Sequence, residues 1–137
     1  MCLLDSMLSA SETDIVCSAV SHRNPDNPLR SHGRLGAAIA VEYAAQAMAL
    51  HGSIGNADLD VPVRDTTKGG RLINVRQLTL HCIRLDDLAS SLTVHATRLM
   101  GDAANVIYSF EVSAEGQMIA SGRAGVMLVA NDNESVR

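Results

Sequence analysis

The chain has 137 residues, of which 47% are hydrophobic, 19% are charged and only 2% are aromatic, and its formal net charge is −4. This length fits one domain with its own hydrophobic core, and an apolar fraction near one half excludes an intrinsically disordered chain. Few aromatic rings and an acidic balance argue against nucleic-acid binding, which needs stacking rings or a basic face. We therefore expect one domain over residues 1–130, followed by a polar tail over residues 131–137.

The first half of the chain predicts one strand followed by one long helix. After a polar turn at residues 9–12, residues 13–21 alternate in polarity and carry β-branched side chains, which predicts a strand. Two prolines then keep residues 22–35 in a loop. Residues 36–51 are rich in alanine and predict a helix, with Gly52 at the position just past its end.

The second half of the chain predicts a run of strands. Turn signals lie at residues 86–87, 101–102 and 115–116. The predicted strands between and around them cover residues 71–83, 90–100, 105–113 and 118–129. Three short consecutive connections favour an antiparallel meander of these four strands. The expected fold class is therefore α+β, with an antiparallel β-sheet wrapped around one long central helix.

The predicted helix is apolar on nearly every side. A helix of this kind is normally buried all round, but a single sheet covers only one of its sides. The other side must face a second surface, and a second copy of the chain is the simplest one. We therefore expect a homo-oligomer, either a dimer or an assembly built from dimers.

Cysteine spacing and apolar run lengths bear on location and cofactors. Cys2, Cys17 and Cys82 are odd in number and widely spaced, which is typical of reduced thiols rather than of a zinc site. No run approaches the roughly 18 apolar residues that a membrane span needs, and the first residues do not resemble an export signal. We expect a soluble cytoplasmic protein that holds no metal and does not bind membranes.

Glu42 is the most unusual residue of the predicted helix, because it places a carboxylate among alanines, with Gln46 one turn later on the same face. A buried carboxylate without a partner shifts its pKa upward or acquires a partner. A carboxylic acid that stays neutral near pH 7 suits general acid catalysis. The alternative is a structural role, in which Gln46, an arginine or water satisfies Glu42.

Two of the five histidines, His22 and His32, lie in the proline-containing loop before the helix, where scaffolds usually place reactive groups. At the start of the helix, the backbone N–H groups of Gly36 and Ala37 can polarise a carbonyl or hold an oxyanion. Every helix offers such donors, so they permit a site without defining one. The remaining histidines are interpreted as structural or surface residues: His51, His81 and His95.

The segment from Arg64 to Arg84 carries five basic residues and a single acid, Asp65. A locally basic segment attracts acidic proteins or phosphate groups. The alternative interpretation is an ordinary solvated strand face.

Residues 27–32, NPLRSH, and residues 35–46, LGAAIAVEYAAQ, resemble the active-site region of hotdog-fold 3-hydroxyacyl-acyl-carrier-protein dehydratases. In that family a histidine follows a short loop motif, and the helix carries a glutamate and a glutamine spaced as Glu42 and Gln46 are. The similarity is closest to the aryl-polyene-type branch. Residues 1–5 look like the LLLD motif of the family, which suggests that the segment usually preceding it is missing here.

The resemblance implies dehydration of 3-hydroxyacyl thioesters of acyl carrier protein or coenzyme A to trans-2-enoyl thioesters, without a cofactor. It assigns His32 as the base for the α-proton and Glu42 as the acid for the departing hydroxyl. The N–H of Gly36 or Ala37 would hold the thioester oxygen, and Gln46 would orient Glu42. As in related enzymes, the histidine and the glutamate would come from different subunits of a dimer. The basic segment would then attract the carrier.

Departures from the family leave alternatives open. The loop between His32 and Glu42 is shorter than in housekeeping dehydratases, and Gly36 and Ala37 replace Pro-Gly, so His22 is a second candidate base. A hotdog thioesterase, in which the helix carboxylate activates water, is the alternative activity. A non-catalytic subunit that binds acyl thioesters is a third possibility.

Overall fold

The computed structural model describes residues 3–54, 71–101 and 105–127. Within these ranges the chain forms one six-stranded antiparallel sheet and one long helix, which confirms the α+β class. The helix α1 (Ala40–Ile54) follows a single turn of 3-10 helix, Ala37–Ile39. The strands are β1 (Ser6–Ala10), β2 (Asp14–Ala19), β3 (Arg71–Leu80), β4 (Leu92–Gly101), β5 (Asn105–Ala114) and β6 (Gln117–Met127).

The five predicted strands correspond to β2 through β6, with ends that differ by a few residues. The sheet order is β1-β2-β4-β5-β6-β3, so β4, β5 and β6 form a meander, whereas β3 pairs with β6 and not with β4. The predicted four-strand meander is therefore wrong at its first connection. Residues 81–91 instead connect the edge strand β3 to β4 in the middle of the sheet. Leu85 anchors this connection, because its side chain is buried and its N–H donates to the Leu35 carbonyl at 2.6 Å.

The edge strand β1 was not predicted. It is only five residues long, is rich in serine and has one fully buried side chain, Met7, so its pattern is too weak to separate from a turn. The expected polar turn at residues 9–12 begins two residues later than predicted, since Ser9 and Ala10 pair with Val16 and Ile15 of β2.

Helix α1 packs its apolar side against the sheet. The core combines Tyr43, Ala47 and Met48 of the helix with Tyr108 and Phe110 of β5, all of which are buried. Tight packing of this kind explains why alanine dominates the helix, since small side chains let it approach the strands closely. The predicted helix end at Gly52 is wrong, because the helix continues through this exposed glycine to Ile54.

A buried polar cluster anchors the end of the helix. His51 is buried, its Nδ1 lies 2.7 Å from the Tyr108 hydroxyl, and its Nε2 lies 2.8 Å from the Ser11 carbonyl oxygen. A carbonyl oxygen only accepts, so Nε2 carries a hydrogen and donates it to Ser11, while Nδ1 is hydrogen-bonded to the Tyr108 hydroxyl. Burial raises the pKa of Tyr108 to about 12, which keeps that hydroxyl protonated. His51 therefore has the structural role expected for it.

We expect His51→Ala to lower the free energy of unfolding by about 2–4 kcal/mol, because it leaves a cavity and removes the hydrogen-bond partner of the buried Tyr108 hydroxyl. His95→Ala is the matched control, since His95 is 39% exposed and pairs with the half-exposed Asp14, and such pairs contribute below about 1 kcal/mol. Urea unfolding of both variants measures the difference. Equal stability of the two variants would contradict the anchoring role.

Several expectations fall partly or wholly outside the described ranges. The tail over residues 131–137, Cys2 and the first part of the basic segment lie there. Of the other cysteines, Cys17 is buried and Cys82 is half-buried, and neither forms a disulfide bond within the described ranges. No helix within the described ranges is long and apolar enough to cross a membrane.

Candidate active site

His32 lies at the tip of a tight turn that precedes α1. The backbone N–H groups of Ser31 and Arg34 donate to each other's carbonyl oxygens, at 2.7 and 3.0 Å. His32 adopts a left-handed backbone, with a φ of 55°, and Gly33 follows with a φ of 77°. A non-glycine residue in this conformation is uncommon and marks a constrained turn. The turn leaves the imidazole exposed, so His32 is positioned by the backbone rather than by burial.

Asp86 holds this turn in place from the segment between β3 and β4. Its carboxylate accepts the N–H of Leu35 at 2.8 Å and the Nε of Arg84 at 3.0 Å, and Arg84 adds a second guanidinium contact. The Nη1 of Arg30 lies 3.7 Å away. The hydrogen bond from Arg84 holds the pKa of Asp86 well below its usual range. Sequence reasoning interpreted Asp86 only as part of a turn.

Arg30 completes the support of the loop. Its guanidinium donates to the carbonyl oxygens of Gly33 at 2.7 Å, Asn24 at 2.9 Å and His22 at 3.2 Å. The side chain of Asp86, only 5% exposed, therefore faces an arginine that itself binds three points of the same loop. This network makes the loop before α1 a rigid support for the residues at its tip.

The two predicted backbone donors at the start of the helix differ in availability. The N–H of Ala37 donates to the Ile83 carbonyl at 3.0 Å, so the expectation that it is free to hold a substrate oxygen is wrong for this chain. Gly36 forms an antiparallel bridge with Arg84 in which the flanking residues make the hydrogen bonds. In such a narrow pair the N–H of the bridged residue points away from the partner segment. Gly36, which is exposed, is thus the better donor.

Glu42 lies in the first turn of α1 and its side chain is exposed, between buried Val41 and Tyr43. Within the single chain the sheet covers the opposite side of the helix, so only a second surface, such as the second subunit expected from the sequence, could enclose Glu42. Gln46 is half-buried, and its Oε1 accepts the N–H of Leu3 at 2.6 Å. The structure therefore gives Gln46 a role in holding the N-terminal segment against the helix.

Tyr43 and Ser21 extend this attachment of the N-terminal segment. The Ser21 hydroxyl donates to the Leu3 carbonyl at 2.7 Å and lies 2.8 Å from the Tyr43 hydroxyl, while Leu3 is itself buried. Burial raises the pKa of Tyr43. Although Tyr43 directly follows Glu42 in the sequence, its side chain is buried in the core, so it supports the helix that carries Glu42.

His22 and His32 occupy different environments. His22 is completely buried, with its Nε2 3.2 Å from the Leu88 carbonyl and its Nδ1 without a partner among the described residues. Burial lowers the pKa of His22, so it is a neutral interior residue. Of the two loop histidines, His32 is exposed, as Glu42 is, whereas His22 is not. Within the described chain, however, no hydrogen bond joins His32 to Glu42.

A long helix wrapped by an antiparallel sheet, with a carboxylate on its exposed side and a histidine on the loop before it, is the arrangement of hotdog-fold enzymes. The chain belongs to the ApeP-like family, described as ApeP dehydratase, whose family model matches residues 1–136. This membership confirms the resemblance noted in the sequence and the prediction of a dehydratase.

Solved structures confirm the hotdog fold. The chain is similar to the dehydratase heterocomplex ApeI:P from Xenorhabdus doucetiae, with 21% identity, a TM-score of 0.73, and coverage of 98% of this chain and 86% of that one. Zebra fish thioesterase superfamily member 2 is 14% identical, with a TM-score of 0.60 and coverages of 89% and 79%. A Streptococcus mutans protein bound to acetyl CoA is 12% identical, with a TM-score of 0.63 and coverages of 93% and 90%. The comparison with curated proteins returned no match.

Proposed function

We propose that this protein dehydrates 3-hydroxyacyl thioesters to trans-2-enoyl thioesters, carried on acyl carrier protein or coenzyme A. The match of a dehydratase family model to nearly the whole chain carries this proposal. The thioester substrate is supported by the structural neighbours, one of which is a protein bound to acetyl CoA. We place this activity in the cytoplasm.

In this proposal the imidazole of His32 removes the α-proton, and the carboxyl group of Glu42 donates a proton to the 3-hydroxyl. The C3–O bond breaks, water leaves, and the electron pair of the C2–H bond forms the C2–C3 double bond. The N–H of Gly36 polarises the thioester carbonyl, because charge develops on its oxygen as the α-proton leaves. These steps need no metal and no redox cofactor.

The reaction requires a second subunit to enclose Glu42, and a homodimer in which His32 and Glu42 come from different subunits meets this need. Exposed apolar side chains of the edge strand β3 and the segment after it support such an interface: Ile73, Leu78, Leu80 and the 90% exposed Ile83. The X. doucetiae neighbour is a heterocomplex, so a non-identical hotdog subunit is the alternative partner. Light scattering of the purified chain distinguishes a homodimer from a monomer that awaits another subunit.

We expect His32→Ala to lower the dehydration rate by about 10²-fold or more, because the α-proton then has no positioned base. Since His32 is exposed, its loss should leave the melting temperature nearly unchanged. His81→Ala is the control, because His81 is also exposed but is assigned no role in the reaction. The initial rate of hydration of an enoyl thioester, which is the reverse reaction, measures the effect. Full activity of His32→Ala would show that another group is the base.

Product analysis with two substrates separates dehydration from hydrolysis. A 3-hydroxyacyl thioester should yield the enoyl thioester, whereas a saturated acyl thioester should remain intact. Release of free thiol from the saturated substrate would instead indicate a thioesterase, the activity for which the superfamily of the zebra fish neighbour is named. Binding of both thioesters without turnover would indicate a non-catalytic subunit.

A further inference from the structure

A groove with a cavity volume of about 270 Å³ lies on the face of the sheet opposite α1. Val106 and Tyr108 of β5 are buried beneath the helix, so the alternating residue Ile107 points to the other face. Its cross-strand partner on β6 is Gly125, and Arg123 lies two positions away on the same face. The groove is therefore separate from the surface that carries Glu42.

Two arginines face each other across this groove. Arg76 of β3 and Arg123 of β6 are direct cross-strand partners, and both line the cavity. Like charges directly opposite each other in a sheet are destabilising. In the described part of the chain, no carboxylate lies within ion-pairing distance of either guanidinium. Glu111, on the same face of β5, also forms no ion pair with them. Among the described residues, this pair of positive charges therefore has no neutralising partner.

The rest of the groove is a mixture of apolar wall and polar amide. Leu99, Met100 and Ile107 line it with exposed fractions of 43%, 63% and 41%, and Asn74 contributes a side-chain amide. Exposed apolar side chains beside two guanidinium groups suit a ligand that is anionic at one end and uncharged along its length. Guanidinium groups bind phosphate through paired hydrogen bonds, which a single ammonium cannot supply.

We propose that this groove binds a phosphate monoester of a slender uncharged chain, with the phosphate between Arg76 and Arg123 and the chain against Leu99, Met100 and Ile107. The proposal does not depend on the dehydratase activity, because the groove residues lie on strands and not on the loop that carries His32 or the helix that carries Glu42.

Butyl phosphate and butanol form a matched pair of probes, because they share a chain and differ in the phosphate. In an NMR titration of the whole protein, butyl phosphate should shift the backbone amide signals of β3 and β6 at this groove. Butanol should bind at least about tenfold more weakly, a loss that corresponds to one hydrogen-bonded charge contact. Equal affinity for the two probes would overturn the proposal, since the site would then be merely apolar.

The double variant Arg76→Gln, Arg123→Gln tests the charges directly. It should lower the affinity for butyl phosphate by about tenfold or more, and Arg23→Gln, which removes an exposed charge elsewhere, should not. Each single variant should retain part of the binding. Unchanged affinity in the double variant would overturn the proposal. Glu42→Gln should bind butyl phosphate normally, so failure of the dehydratase mechanism and failure of the groove are separate results.

Discussion

Glu42→Gln is expected to lower the dehydration rate by about 10²–10⁴-fold while the fold and the oligomer remain intact. The amide keeps the size of the side chain but cannot give a proton to the departing hydroxyl. Because the side chain is exposed in the single chain, its replacement removes no core contact, and the free energy of unfolding should change by less than about 0.5 kcal/mol. The measurement is the rate of enoyl thioester hydration, with thermal unfolding in parallel.

Glu111→Gln is the matched control for this variant. Glu111 is an exposed glutamate on the opposite face of the sheet, so the same chemical change there should leave the rate unchanged. A steady-state comparison should show a fall in kcat without a matching rise in KM, because the proton is needed in the transition state and not for binding. Wild-type activity of Glu42→Gln would contradict its role as the acid and favour a structural glutamate.

Local patterns were sufficient to predict most secondary structure. The alternation of residues in β2, β4 and β5 and the alanine-rich segment of α1 report directly on which side chains are buried. The position of β3 beside β6 was missed, because strand pairing depends on contacts distant in sequence and not on the polarity of the strand. Short connections favour neighbours, but the segment over residues 81–91 is long enough to cross the sheet.

The candidate site could be predicted only in part, for a similar reason. The residue types of His32 and Glu42 stand out in the sequence, but their exposure depends on which side of the helix the sheet covers. The use of the Ala37 N–H by Ile83 is a long-range backbone contact with no sequence signal. The network around Asp86 joins residues from separate segments, so it appears only in the folded chain.

We expect Asp86→Ala to lower the free energy of unfolding by about 2–3 kcal/mol, because it strands the Leu35 N–H and removes the carboxylate that faces Arg30 and Arg84. It should also lower kcat by up to about 10²-fold, since the loop that carries His32 loses its support and small displacements of reacting groups are costly. Chemical unfolding and steady-state kinetics measure the two effects. Asp87→Ala is the control, because the Asp87 side chain is 59% exposed.

The low pKa of Asp86 makes this contribution depend on pH in a definite direction. A carboxyl group whose pKa is lower in the folded than in the unfolded chain binds fewer protons when folded. Its stabilisation is therefore complete above the unfolded pKa of about 3.9 and declines as the pH falls below it towards the folded value. Asp86→Asn keeps an acceptor for the Leu35 N–H but cannot titrate. Its free energy of unfolding should therefore fall less than that of the wild type as the pH is lowered. An identical decline in wild type and Asp86→Asn between about pH 5 and pH 2 would contradict the ionised network, whatever the outcome for Glu42.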